Sequence, residues 1–436
     1  MPHDAAVYRD LAERSWAWVR SQVRTRGEEL WLPESPEQSE PGEYPYGMHS
    51  GVGGLAHVLS ELRLTRELSA QEQQLAQGIA ETLLRRVPAE TELDYFDGLV
   101  STIGVLLALD SPGAADAVAR LRELATVDGW PSSWIEPPDV TPEGRCNDAT
   151  LGTASVLLGA LWALRYGVPG ADELSQLAAR ILMAEHEQTD AGLDWLFIPR
   201  RFVLEPRGRM PNWSHGLAGV AGSLAAAGVA LNRPDLVEAA RLGAEHLVTL
   251  ADTGEGGMRI PHVIPPRDDL DTYTYTWCHG PAGTSLAFAA LARAGADHVA
   301  GRTPYDWERA CMRSLQTSGI PERTYPGFWD NDGRCCGTAG VGDVVLNVWQ
   351  RHGEQRDLDF AVRLGDALVE RAVTDGDDVY WRFVEHRAEE PLLPPGPGWM
   401  QGAAGIAAYL FRLARTLGDG RAAPAVARMD TWWALP

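Results

Sequence analysis

The chain contains no lysine. All 38 of its basic residues are arginine, against 60 aspartates and glutamates, for a formal net charge of −22. Without a basic footprint, sequence-blind nucleic-acid binding is excluded and anionic membrane surfaces are disfavoured. The missing lysine reads as the bias of a G+C-rich genome, and the acidity as an aid to solubility. No run approaches the ~20 consecutive apolar residues of a transmembrane segment. The N-terminus, M-P-H-D-A-A-V-Y-R-D, lacks a basic region followed by an apolar core, so no secretory signal is expected. Cysteine is scarce as well. Five cysteines, an odd number with two of them adjacent, do not make a disulfide framework and fit a reducing cytoplasm.

What the chain does have is an internal repeat. A G-x-x-G motif opens an apolar run at Gly51–Gly54, Gly216–Gly219, Gly280–Gly283, Gly337–Gly340 and Gly402–Gly405. Two weaker copies fill the gap, Ser101 with Gly104 and Gly152 with Ser155. Seven copies at intervals of roughly 50 to 65 residues suit a two-helix repeat with long loops. The run after each motif is rich in Ala, Leu and Val and reads as a buried helix. An amphipathic segment follows, such as P-D-L-V-E-A-A-R at 234–241, where the proline suits a first helical turn. The pattern predicts an all-α fold, an α/α toroid of seven helical hairpins with an inner and an outer ring of helices. Length alone would suggest about three domains of ~150 residues. The repeat instead predicts one closed toroid over residues 1–436, and the 45% hydrophobic content suffices for its core.

In this arrangement the loops before the inner helices gather at one end, and three of the five cysteines lie there. Cys278 stands in T-W-C-H-G-P-A-G, and Cys335 and Cys336 stand in G-R-C-C-G-T-A-G. The two residues before the first glycine are equivalent in each copy: His49 and Ser50, Ser214 and His215, Cys278 and His279, Cys335 and Cys336, Met400 and Gln401. Thiolates are preferred zinc ligands, and three protein ligands leave a fourth position open to a substrate. The expectation is a catalytic Zn2+ held by Cys278, Cys335 and Cys336. Binding to zinc deprotonates a thiol that is otherwise mostly protonated at neutral pH. His215, at an equivalent loop end, is suited to proton transfer. Its plain alternative is a helix-start residue that caps or fills space, and Asp148 could be a simple helix N-terminal acid. His279 reads as a pocket-wall residue, and Cys146 and Cys311 read as non-ligand thiols.

W-C-H-G-P-A-G and C-C-G-T-A-G, with S-H-G-L-A-G upstream, resemble the lanthionine synthetase C (LanC-like) family over nearly the whole chain. The resemblance implies a toroid with a central zinc and a lanthipeptide cyclase that adds a peptide cysteine across a dehydroalanine or dehydrobutyrine. It implies Cys278 and Cys335 as zinc ligands. Cys336 stands where many members have histidine, as in a three-cysteine subset. His215 matches the active-site histidine, and Asp148, in C-N-D-A-T-L-G, matches an acidic site residue. One departure matters: some bacterial cyclases carry arginine four residues before the first cysteine, and Thr274 stands there. Arg200, Arg201, Arg207 and Arg209 are candidate substitutes.

The implied partners are a dehydrated precursor peptide, leader and core, and a separate dehydratase. Two other readings stay open: addition of glutathione to dehydrated residues, and a non-catalytic peptide-binding module with structural zinc. The long segments 253–277 and 375–401, punctuated by Pro and Gly, are candidate peptide cradles.

Overall fold

A computed structural model describes residues 3–132, 140–141, 143–204, 208–386 and 389–436. Seven helices form an inner ring: α2 (Leu55–Arg63), α4 (Leu99–Ala108), α6 (Thr153–Arg165), α8 (Leu217–Ala230), α10 (Pro281–Arg293), α12 (Thr338–His352) and α14 (Ala403–Asp419). Each packs on the next, and α14 meets α2 to close the circle. Seven more surround them: α1 (Ala5–Ser21), α3 (Ala70–Arg86), α5 (Ala114–Leu124), α7 (Ala171–Ala184), α9 (Pro234–Leu250), α11 (Pro304–Thr317) and α13 (Gln355–Arg371). The outer helix of each hairpin packs on its own inner helix, and α1 packs on α14. This is the α/α toroid that the repeat predicts. Among the described residues, no helix is long and apolar enough to cross a membrane.

Sequence explains which ring each helix joins. α8 reads L-A-G-V-A-G-S-L-A-A-A-G-V-A, without charge and with small residues on every face, so it can be enclosed all round. α13 carries charge on most of its surface and buries one stripe, including Phe360, Ala361, Leu364 and Leu368. Capping boxes start α3 at Ser69 with Glu72 and α11 at Thr303 with Asp306. The second glycine of the motif is set by close approach. A Cβ at Gly283 would lie 1.9 Å from the Trp277 carbonyl oxygen and 2.6 Å from Trp213 Cβ.

The second copy differs in register from the sequence reading. α4 starts directly after Gly98, so Gly98 and Ser101 hold the motif places, not Ser101 and Gly104. The Ser101 amide donates to the Asp94 carbonyl, as the Ser155 amide donates to that of Asp148. Gly104 serves a different contact: a Cβ there would meet Met429. Serine in place of the second glycine hid the true frame.

Two-stranded antiparallel hairpins follow three outer helices: β1 (Arg24–Arg26) with β2 (Glu29–Trp31), β3 (Glu187–Thr189) with β4 (Gly192–Asp194), and β5 (Val373–Asp375) with β6 (Asp378–Tyr380). After two of them an indole locks the loop to the helix before it. Trp195 Nε1 donates to Leu182 O at 2.7 Å, and Trp381 Nε1 to Leu368 O at 2.8 Å.

The two ends of the ring are finished differently. At the C-terminal ends of the inner helices, residues 420–436 fold back across the ring. Trp433 donates to the Leu286 carbonyl, and Arg351 donates to the Ala434 carbonyl. Arg428 from this segment enters a buried ionic cluster with Asp343, Glu61, Arg334, Arg412 and Arg415. Burial pushes the Asp343 carboxyl up, but Arg334, Arg412 and Arg428 outweigh it and hold it well below the usual carboxylate range. The other end, at the inner-helix N-termini, carries the cysteines.

Candidate metal centre

The loop ends at the inner-helix N-termini are tied into a closed circuit. Ser214 N–H donates to Cys278 O (2.9 Å), Cys278 N–H to Cys335 O (3.3 Å), Cys335 N–H to Met400 O (2.8 Å) and Met400 N–H to His49 O (2.9 Å). His49 N–H donates to Phe96 O (3.0 Å), and Tyr95 N–H to Thr150 O (2.7 Å). Thr150 Oγ1 completes the circle 3.0 Å from Ser214 O. Every repeat contributes one link. Residues far apart in sequence are therefore held at one end of the toroid by six backbone hydrogen bonds and one from the Thr150 hydroxyl.

Cys278, Cys335 and Cys336 converge there. Their sulfurs lie within 4.8 Å of one another, and no histidine or carboxylate joins the set among the described residues. Cys278 Sγ and Cys336 Sγ are 3.2 Å apart. A tetrahedral zinc with sulfurs at about 2.3 Å sets its ligands about 3.8 Å apart, so this trio matches three corners of such a site. Thr276 Oγ1 lies 3.2 Å from Cys278 Sγ, and Gln401 Nε2 donates to Cys336 Sγ at 3.6 Å. Asn331 Nδ2 donates to Gln401 Oε1 at 2.6 Å and so fixes that amide. In the metal-free cluster, hydrogen bonds from Cys278 and Cys335 pull the Cys336 thiol down. The Cys335 thiol is pushed well up by its contacts with Cys278 and Cys336 and by burial. Where one of these neighbouring sulfurs is a thiolate, a second beside it is disfavoured.

His215 and Asp148 form a pair beside this trio. His215 Nδ1 lies 2.8 Å from Asp148 Oδ2. Asp148 is fully buried and also accepts from Leu151 N–H (3.0 Å), with Thr150 Oγ1 at 3.0 Å. A carboxylate so enclosed by donors holds the imidazole in one orientation. His279 links the pair to the sulfur trio. It follows Cys278 directly, and its ring centroid lies 5.3 Å from His215 and 4.2 Å from His262. Burial, then the neighbouring His215 and His262, push the His279 pKa well down, so it stays neutral.

The remaining candidates sort plainly. Cys146 sits in a small apolar cluster with Val140, Ile198 and Phe202. Cys311 is buried on the outer helix α11. Arg200, Arg201 and Arg209 are engaged with Glu187, Glu185 and Asp194, and Arg207 lies outside the described residues. Thr274 keeps a buried hydroxyl without a partner. Sequence reasoning missed Thr276, Gln401 and Thr150 as contacts of the site. Thr150 and Gln401 occupy motif places equivalent to Cys335 and Cys336, so the repeat alignment held the information, while Thr276 depends on the loop conformation.

The family model described as "Lanthionine synthetase C-like protein" matches residues 42–417. Comparison with curated proteins finds no match. Among solved structures, the chain is similar to "Nisin cyclase", 15% identical, with 85% of this chain and 89% of that chain covered and a TM-score of 0.53. It is also similar to a D-mannose isomerase, 10% identical, with 93% and 95% covered and a TM-score of 0.51. Likeness at this level shows a shared toroid. Two neighbours with different chemistry on one fold mean that the reaction must be argued from the site.

Proposed function

The chain belongs to the lanthionine synthetase C-like family, and from that membership we propose that it is a zinc-dependent lanthipeptide cyclase. The observation that carries the reading is the convergence of Cys278, Cys335 and Cys336 beside the His215–Asp148 pair. The donor set fits zinc: three soft sulfurs, no fourth protein ligand, and room for a substrate sulfur. A structural zinc would be closed by a fourth residue, and the trio has none among the described residues. This favours catalysis over a non-catalytic peptide-binding module.

The reaction joins a cysteine thiol to the β-carbon of a dehydroalanine or dehydrobutyrine. An S–C bond forms, the C=C π bond is lost, and a proton arrives at the α-carbon, so product and substrate have equal mass. Bound zinc would lower the pKa of the peptide thiol and present its sulfur as a nucleophile. His215, as imidazolium, delivers the proton to the α-carbon from Nε2 while Nδ1–H stays on Asp148. Asp148 is the orienting residue, since its contacts are with donors and it is shielded from solvent. Neutral His279 adds no competing positive charge beside His215.

The substrate is a dehydrated precursor peptide, with leader and core, supplied by a separate dehydratase. An odd count of five cysteines, two of them adjacent, suits a reducing, cytoplasmic setting. The test combines purified protein, zinc and a dehydrated precursor. Loss of the alkylatable thiol without a mass change supports ring closure, whereas a gain of glutathione mass when glutathione is present supports the intermolecular reading. A thiol that stays alkylatable, with no gain of glutathione mass when glutathione is present, overturns both.

A further inference from the structure

A cavity of about 290 Å3 opens beside His215, lined by Leu196, Phe197, Ile198, Val203 and Met210. The Phe197 ring meets the His215 ring edge-on at 5.6 Å. The cavity wall and the acid also share a support. Asn147, the residue before Asp148, donates its N–H to Phe197 O (2.9 Å) and its Nδ2 to Leu196 O (2.9 Å). The wall is thus registered to the His215–Asp148 pair by the same short stretch of backbone.

Its chemistry is apolar. Ile198 is buried, but Leu196, Phe197, Val203 and Met210 each keep part of their surface open. Arg200 and Arg209 at the rim are paired with Glu187 and Asp194, so they offer an incoming group no free charge. Partly open apolar side chains lining a concave site next to an acid are what a ligand side chain covers. A second cavity of about 470 Å3 lies by Gln401 on the other flank of the trio and is bordered by Glu34, Gln38 and Ser50 as well as Phe383 and Leu393.

Resting on the cyclase reading, we propose that the apolar cavity takes a large aliphatic or aromatic side chain on the residue next to the dehydro amino acid. The reason is positional. The α-carbon that receives the proton must come within hydrogen-bond reach of His215. The next residue lies at most ~3.8 Å further along, one Cα–Cα step, and Phe197 is the wall it meets. The preferred substrates are therefore dehydrated peptides with an apolar neighbour at the acceptor.

The test uses two dehydrated peptides that differ only in that neighbour, leucine or serine. Wild type is expected to favour leucine by about 10-fold or more in kcat/KM, the value of burying one such side chain. Val203→Trp, which fills the cavity, and Met210→Gln, which makes it polar, should each reduce that ratio to about 2-fold or less. Far-ultraviolet circular dichroism checks that both variants fold. Leu393→Ser, in the other cavity, should leave the ratio unchanged. The same peptides with serine in place of cysteine cannot close a ring, and their affinities are measured by fluorescence anisotropy. If wild type closes no ring on either peptide, the cyclase reading fails, and the affinity ratio still decides the cavity. Equal affinities and rates for leucine and serine in wild type overturn the proposal. So does a ratio that Val203→Trp and Met210→Gln leave intact, or one that Leu393→Ser shifts equally.

Discussion

His215 Nδ1 stands 2.8 Å from Asp148 Oδ2 across 67 positions of sequence, with the carboxylate fully buried and the imidazole partly open. Under the proposed cyclase reading, that asymmetry suits Asp148 as the orienting group and His215 as the proton donor. His215→Ala should keep its zinc and lose about 10²–10⁴-fold in kcat. Asp148→Asn should also keep zinc and lose activity, because an amide can turn its own N–H toward Nδ1 and release the ring. Metal content and single-turnover rates check both, and full activity in His215→Ala would remove it as the acid.

Zinc uptake should strengthen with pH. The Cys335 thiol is pushed well above its ordinary value by Cys278, Cys336 and burial, so binding must expel its proton. For a group whose pKa is raised in the apo state, raising the pH assists its deprotonation. The dissociation constant should fall about 10-fold per pH unit for each proton released. Competition titrations with a chromogenic chelator between pH 6 and 8 measure this. Cys278→Ala, Cys335→Ala and Cys336→Ala should each lose most of the metal.

Gly283→Ala should disturb the centre without touching a ligand. The added Cβ would fall 1.9 Å from the Trp277 carbonyl oxygen, one residue before Cys278. Relieving that overlap moves the loop that presents Cys278 or displaces α10. The expected result is a loss of about 1–3 kcal/mol in stability together with weaker zinc binding. Urea unfolding and metal analysis on the same sample separate the two effects.

A fourth expectation concerns a carboxyl away from the sulfurs. Burial, then the nearby Asp94, push the Asp97 carboxyl up to about 8. Its pKa in the unfolded chain is about 3.9. Its contribution to stability is fully present below the unfolded value and is lost as pH rises through the folded one. Asp97→Asn should therefore raise Tm relative to wild type at pH 8 and change it little at pH 4. Calorimetry at the two pH values checks the sign.

Much of this was legible from spacing. Small and apolar residues through most of the inner runs, and one apolar stripe on segments such as 357–364, decide which helix is enclosed and which is half-exposed, because burial follows side-chain chemistry. The motif frame was legible where both glycines were present. It slipped by three residues at Gly98 and Ser101, where serine replaces the second glycine and Gly104 offers a false match. Cys278, Cys335 and Cys336 stood out because equivalent places in a closed repeat must come together.

The amino-acid sequence by itself determined the toroid and the residue types at its cysteine end, since periodicity and motif position depend only on local order. The tertiary structure alone decided how those side chains meet. The Thr150 hydroxyl against Ser214 and His215, the hold of Asn331 on Gln401, and the wall of Phe197 against His215 join residues whose separation along the chain carries no mark of contact. Those contacts exist because backbone hydrogen bonds, with the Thr150 hydroxyl at one link, close the seven loop ends into one circuit, and only closure of the ring sets the distances across it.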